Sequence, residues 1–183
     1  PKLIEILCNA SESNENEFKI SAIKTLGMIW EYLTKDKISN NDFILMEKSL
    51  IKILSNFSSN ELSLEALRAY KLFLNYIPEK FNDKDYLEPT LKMLSNLCNI
   101  NNKQLNENVI MVAIHRITEV SKIAYNYIND HFKNLAQFLC ILCVGPSENL
   151  AIQAYIFFIE FSEYEFILSK EKKSKNYIDS IWD

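Results

Sequence analysis

Apolar residues return along this chain at intervals of three and four, the period of a helix with one buried face. Ile23, Leu26, Ile29, Trp30 and Leu33 form one such stripe, and Leu67, Tyr70, Phe73, Leu74 and Ile77 form another. Ile114, Ile117, Val120 and Ala124 make a third, and Ile152, Tyr155, Phe158 and Ile159 a fourth. A shorter stripe precedes each. These are Leu3, Ile4 and Leu7; Phe43, Met46, Leu50, Ile53, Leu54 and Phe57; Leu87, Leu91, Leu94 and Leu97; and Phe132, Leu135, Phe138, Leu139 and Leu142. Polar stretches at 9–17, 58–60, 99–108 and 145–149 part the two members of each pair, with Ser, Asn and Gly suited to cap and break helices. Asp42, Asp85 and Asp130 stand near helix starts, where a carboxylate caps the helix or favours its dipole. The pattern predicts helix pairs over about 1–35, 41–80, 84–127 and 130–168, with 169–183 a frayed tail or the start of a further helix.

The second helices share a local motif: an alanine, an aliphatic residue after it, and a large apolar residue three positions on. It occurs at Ala22-Ile23…Leu26, Ala66-Leu67…Tyr70, Ala113-Ile114…Ile117 and Ala151-Ile152…Tyr155, with the alanines 44, 47 and 38 residues apart. An irregular period of this length belongs to solenoids of helix pairs, and the small residue lets one helix approach its neighbour. The fold class expected is therefore all-α, an α-solenoid of antiparallel helix pairs in a right-handed superhelical stack. Natural solenoids end in polar caps and neither end here resembles one. The chain also starts at Pro1, so the expectation is a piece of a longer array.

Composition narrows the function classes. Two glycines and four prolines in 183 residues cannot furnish the turns of a sheet-rich fold or the phosphate loops of a nucleotide enzyme. A net charge of −4, with two arginines (Arg68 and Arg116) among twenty cations, argues against nucleic acid as a partner. No apolar run reaches the ~20 residues of a membrane span, so no membrane partner is expected either. The four cysteines (Cys8, Cys98, Cys140, Cys143) lie among apolar helical residues and read as reduced core thiols. The 20 asparagines, 23 isoleucines and preference for lysine fit an AT-rich coding bias rather than a functional signal.

Candidate chemistry is sparse. Cys140-x-x-Cys143 has the spacing of a redox or zinc half-site, but sits in an apolar helix without a second cysteine pair. His115 and His131 fall on different helices, and no nucleophile elbow, Gly-rich loop or HExxH run accompanies them. No enzyme, cofactor or metal is expected. Glu31, Glu119, Glu160, Glu163 and Glu165 cluster late in second helices, as a solvated face or as an acidic strip attractive to basic partners. Four lysines within 170–175 read as a solvated tail.

Tyr125-x-Tyr127-Ile128, followed by Ala151-Ile152-Gln153-x-x-x-Phe157-Phe158-x-x-x-Ser162-Glu163-x-Glu165, resembles the importin-β (karyopherin-β) family. Members carry a Tyr-containing turn, then an Ala-Leu-Gln type helix, an aromatic pair and an acidic end. Residues 22–33 with Asp36, and 60–81, resemble preceding family helices, so the likeness spans roughly the fourth to seventh HEAT repeats. The 99–108 loop is longer than the family's usual one. The resemblance implies a nuclear import receptor segment that binds phenylalanine-glycine nucleoporin repeats in outer-surface pockets between first helices. Its places would be cytoplasm, nucleus and the nuclear pore, and the whole receptor would also bind Ran GTPase and importin-α or cargo. Carried over, one pocket uses Leu50, Ile51 and Leu54 with Glu88 and Leu91 opposite; a second uses Leu94, Phe132, Leu135 and Ala136. The alternative is a generic HEAT or armadillo scaffold, of phosphatase-scaffold or coat-adaptor type, that holds protein partners without pore repeats.

Overall fold

The fold is that of a computed structural model describing residues 2–32 and 37–181. Leu33 and Asp36, part of the first repeat's expected pattern, lie outside the described residues. Among those described the chain is all-helical, with α1 (Lys2–Ala10), α2 (Asn16–Tyr32), α3 (Asn40–Ser55), α4 (Asn60–Leu74), α5 (Lys84–Asn96), α6 (Glu107–Ile123), α7 (Asn129–Cys143) and α8 (Glu148–Lys170). The boundaries follow capping chemistry. Ser39, Ser59, Asn106 and Ser147 each accept a hydrogen bond from the backbone N–H three residues on, and Asp83 accepts one from Asp85 N, two residues on. Asp42 is no cap itself: its carboxylate accepts from the Ser39 hydroxyl, completing a reciprocal pair at the start of α3.

The chain divides into two compact units, residues 1–78 with 99–109, and residues 79–98 with 110–183. In the first, α1 packs on α2 and α3, α2 on α4, and α3 on α4. Sequence dictates how closely α2 and α4 approach. Gly27 faces Ala69, and a β-carbon at position 27 would stand 3.3 Å from the alanine methyl. Beside this contact Trp30 meets Phe73 edge-on at 5.3 Å, Phe43 stacks on Phe73 at 5.1 Å, and Tyr76 donates to the Trp30 carbonyl at 2.7 Å. The long 99–108 loop is tied down by one residue. Asn60 donates its amide to Gln104 O and accepts from Asn106 N, both at 2.9 Å.

In the second unit α7 packs on α8, and Lys122 of α6 pairs with Glu160 of α8 at 2.6 Å. The fourth repeat is covered on a different face from the one its motif predicts. Ala154, Phe157 and Phe161 are buried together with Leu150, whereas Ile152, Tyr155 and Ile159 are 49–58% exposed and Ala151 is half-buried. Helix α8 is apolar around most of its circumference, so periodicity alone marks two possible buried faces and the motif selects the uncovered one.

Residues after α8 are not frayed, as expected, but folded back. The chain reverses through Lys172 and Asn176, both with positive φ, and inserts Tyr177 beside Phe132, Phe161 and Tyr125. A buried carboxylate holds this strap. Glu165 accepts from the Tyr125 hydroxyl at 2.5 Å, from Tyr177 N at 2.8 Å and from Ile178 N at 2.9 Å. The Tyr125 hydroxyl in turn accepts from Lys175 N, and the Tyr177 hydroxyl donates to Tyr125 O. Burial first, and then Glu165, push the Tyr125 hydroxyl up to about 12. The proton is held more tightly folded than unfolded. This contribution is therefore complete below about pH 10 and lost as pH rises through about 12.

Two substitutions test the packing. Gly27→Val drives a branched side chain into Ala69 and should cost about 1–3 kcal/mol, read as a lower melting temperature. Glu165→Ala leaves the Tyr125 hydroxyl, the buried Tyr177 N–H and the part-buried Ile178 N–H without their acceptor. It should cost about 2–4 kcal/mol and speed tryptic cleavage at Lys172, Lys173 and Lys175, which limited proteolysis would read.

Candidate functional site

Helices α5 and α7 present the same register to a shared groove. Glu88, Leu91, Lys92 and Ser95 line one wall, and His131, Asn134, Leu135 and Phe138 the other, around a volume of about 380 Å³. Both sets follow steps of three, one and three, the spacing that puts four side chains on one helical face. Leu91, Leu135 and Phe138 form the apolar floor and the polar residues form the rim. His131 Nε2 is shielded from solvent and has no hydrogen-bond partner among the described residues, so a ligand donor or acceptor beside it would meet an unmet demand. One turn before Glu88, exposed Lys84 bonds Asp130 at 2.8 Å across the end of the groove. The hydrogen bond and charge of Asp130 raise the Lys84 ammonium above its ordinary value, and Lys84 lowers the Asp130 carboxyl in return.

The expected site residues separate into groups. Glu88 and Leu91, assigned to the first pocket, lie in this α5–α7 groove, as does Leu135 from the second. Leu50 and Leu54 are core residues, 0% and 2% exposed, while Ile51 is half-buried. A side chain without free surface has no face to offer a ligand, and Leu94, 0% exposed, shares that position. Phe132 and Ala136 are also nearly fully buried and border a different hollow of about 500 Å³, shared with Cys140 and Ile141 of α7 and with Ser180 and Ile181 after the strap. Lys92, Ser95, His131, Asn134 and Phe138 were not singled out for the site. Their signal was the repeated three-one-three spacing beside the buried stripes of α5 and α7.

The acidic strip breaks up. Arg116 and Glu119 pair at 2.6 Å with His115 3.9 Å away, Glu160 pairs with Lys122, and Glu165 anchors the strap; Glu31 and Glu163 alone of the five are exposed. Burial lowers the Arg116 guanidinium against the pull of Glu119. All four thiols are free, burial raises Cys8, Cys98 and Cys143, and a raised thiol is the reverse of what a thiolate nucleophile needs. Among the described residues no cluster of three His, Cys, Asp or Glu is placed to hold a metal ion, and no helix is long and apolar enough to cross a membrane.

The core and groove assignments are separable by substitution. Leu54→Asp buries a charge and should destabilise by about 3–5 kcal/mol, lowering the melting temperature by roughly 10 °C or more. Phe138→Asp, at the half-buried groove wall, should leave a cooperative transition within a few degrees of the parent, and calorimetry on both variants checks the contrast. Compared with protein-family models, with curated proteins and with solved structures, the chain matches none.

Proposed function

We propose that this chain is a binding segment of importin-β type, a HEAT-like solenoid that holds apolar side chains of extended peptides in the α5–α7 groove, with phenylalanine-glycine nucleoporin repeats as its ligands. The observation that carries the reading is the groove itself: a floor of Leu91, Leu135 and Phe138 between two helices that are first members of consecutive pairs. It has the breadth to take a phenyl ring, while the rim of Glu88, Lys92, Ser95, His131 and Asn134 meets backbone amides on either side of it. The family-level part of the reading rests on the motifs at Tyr125–Ile128 and Ala151–Glu165.

The energetics suit rapid exchange. Burying one phenylalanine ring contributes about 2–3 kcal/mol before ordering costs, so a single groove binds weakly. Many repeats on one flexible partner then supply affinity through effective concentration, with each contact still quick to break. Transit through a crowded pore requires both properties. A scaffold holding one fixed partner would instead use the charged rim for specificity, and the two readings differ in whether phenylalanine alone is recognised.

Titration of the chain with a phenylalanine-glycine repeat peptide tests the proposal. Saturable binding with a Kd on the order of 0.1–1 mM is expected, abolished by exchanging the peptide's phenylalanines for serine. Phe138→Ala should weaken it about tenfold or more, while Ile141→Ala, exposed on α7 outside the groove, should not. Absence of saturation, or binding indifferent to Phe138→Ala, overturns the assignment.

A further inference from the structure

The uncovered face of α8 carries a pattern that says what covers it. Glu148, Ile152, Tyr155, Ile159, Glu163, Phe166 and Lys170 are all exposed, and the four large apolar members are 49–62% exposed. At about 100° per residue all seven fall within about 40° of the direction of Ile159, on one stripe of the helix. Lys170 confirms the shared side, with its ammonium 4.3 Å from the centre of the Phe166 ring.

The stripe is symmetric about Ile159. Positions 148 and 170 lie eleven residues either side of it, 152 and 166 seven, and 155 and 163 four. An antiparallel copy of α8 centred on the same residue therefore sets Ile159 against Ile159, Ile152 against Phe166, and Glu148 against Lys170 at both ends. Tyr155 comes level with Glu163, a phenol with a carboxylate acceptor. Apolar residues meet apolar ones and each terminal charge meets its opposite. A parallel arrangement in register would instead oppose Glu148 to Glu148 and Lys170 to Lys170. We infer that the chain self-associates as a two-fold dimer through the Glu148–Lys170 face of α8, the occupant being a second copy in antiparallel orientation. The inference is independent of the peptide groove, since the two sites share no residue.

Sedimentation of the chain over a concentration series up to about 100 µM reads the assembly. A species of twice the 21.4 kDa protomer that does not grow further is expected. Ile159→Glu places two carboxylates on the dyad and should yield monomer, with helical content and melting profile retained because the position is 58% exposed. Glu148→Lys alone, or Lys170→Glu alone, opposes like charges at both ends and should weaken the dimer about tenfold. The double exchange Glu148→Lys with Lys170→Glu should restore it to within about threefold of the parent. Each exchange opposes the helix dipole of α8, so recovery in the double variant cannot come from helix stability. A monomer throughout the series overturns the inference. So does an open-ended assembly, which is the mark of head-to-tail stacking onto exposed Leu3, Ile6 and Phe18 of α1 and α2. A double exchange no better than the single ones overturns it as well.

Discussion

A helix that is apolar around more than one face must be covered from more than one side, and this constraint governs the chain. Helix α6 satisfies it: Ala113, Ile114, Ile117 and Val120 are buried, and so are Arg116, Thr118 and Ser121 around the rest of its circumference. Two of the three polar members find a local partner, while the Ser121 hydroxyl is buried without one among the described residues. Thr118 donates to the Ile114 carbonyl and Arg116 faces Glu119 one turn on. Helix α8 satisfies the constraint on one side only. Its Leu150, Ala154, Phe157 and Phe161 face inward, and Ile152, Tyr155 and Ile159 are left in water.

The buried carboxylate of Glu165 is the second organising element, and it works by satisfaction rather than by attraction. A carboxylate withdrawn from water is tolerated when its lone pairs are used, and here three donors converge on it. Two of those donors are backbone N–H groups of the returning chain, so the ion and the strap depend on each other. The strap then brings Tyr177 against Phe132 and Phe161, at 5.0 and 6.3 Å, closing an aromatic cluster that the helices alone would leave open. Gly27 serves a comparable purpose in the first unit, where its lack of a side chain sets the distance between α2 and α4.

How much of this was legible in the residues depended on range. The all-helical class and the polar breaks were open to inspection because a helix's period and its Ser or Asp cap are local properties. The fourth repeat was misread at Ala151 because Ile152, Tyr155 and Ile159 keep helical spacing as well as Leu150, Ala154 and Phe157 do; only neighbours in space decide between them. Leu50 and Leu54 failed as site residues for a related reason. A stripe marks what is buried, and the proposed groove combines the edge of two stripes, at Leu91 and Leu135, with residues beside them such as Lys92, Ser95 and Asn134. Glu165 gave no warning at all. Its partners lie 40 residues before it and 12 after, and a glutamate late in a helix looks like any solvated one.

The groove and the open face of α8 illustrate two ways in which apolar surface can be left uncovered. In the groove, Leu91, Leu135 and Phe138 are enclosed by polar neighbours on both helices, so the apolar area is small and bounded. A surface of that kind is soluble by itself and gains from a ligand one side chain at a time, which favours loose and reversible capture. The α8 stripe is long, and between Ile152 and Phe166 its one polar member is Glu163. A single side chain cannot cover it, whereas another helix can, burying several large residues together and fixing their register through the charges at either end. Shape and charge thus underlie the two proposals, a flexible peptide for one surface and a rigid helix for the other. The same apolar chemistry serves both because the polar residues around it differ in arrangement.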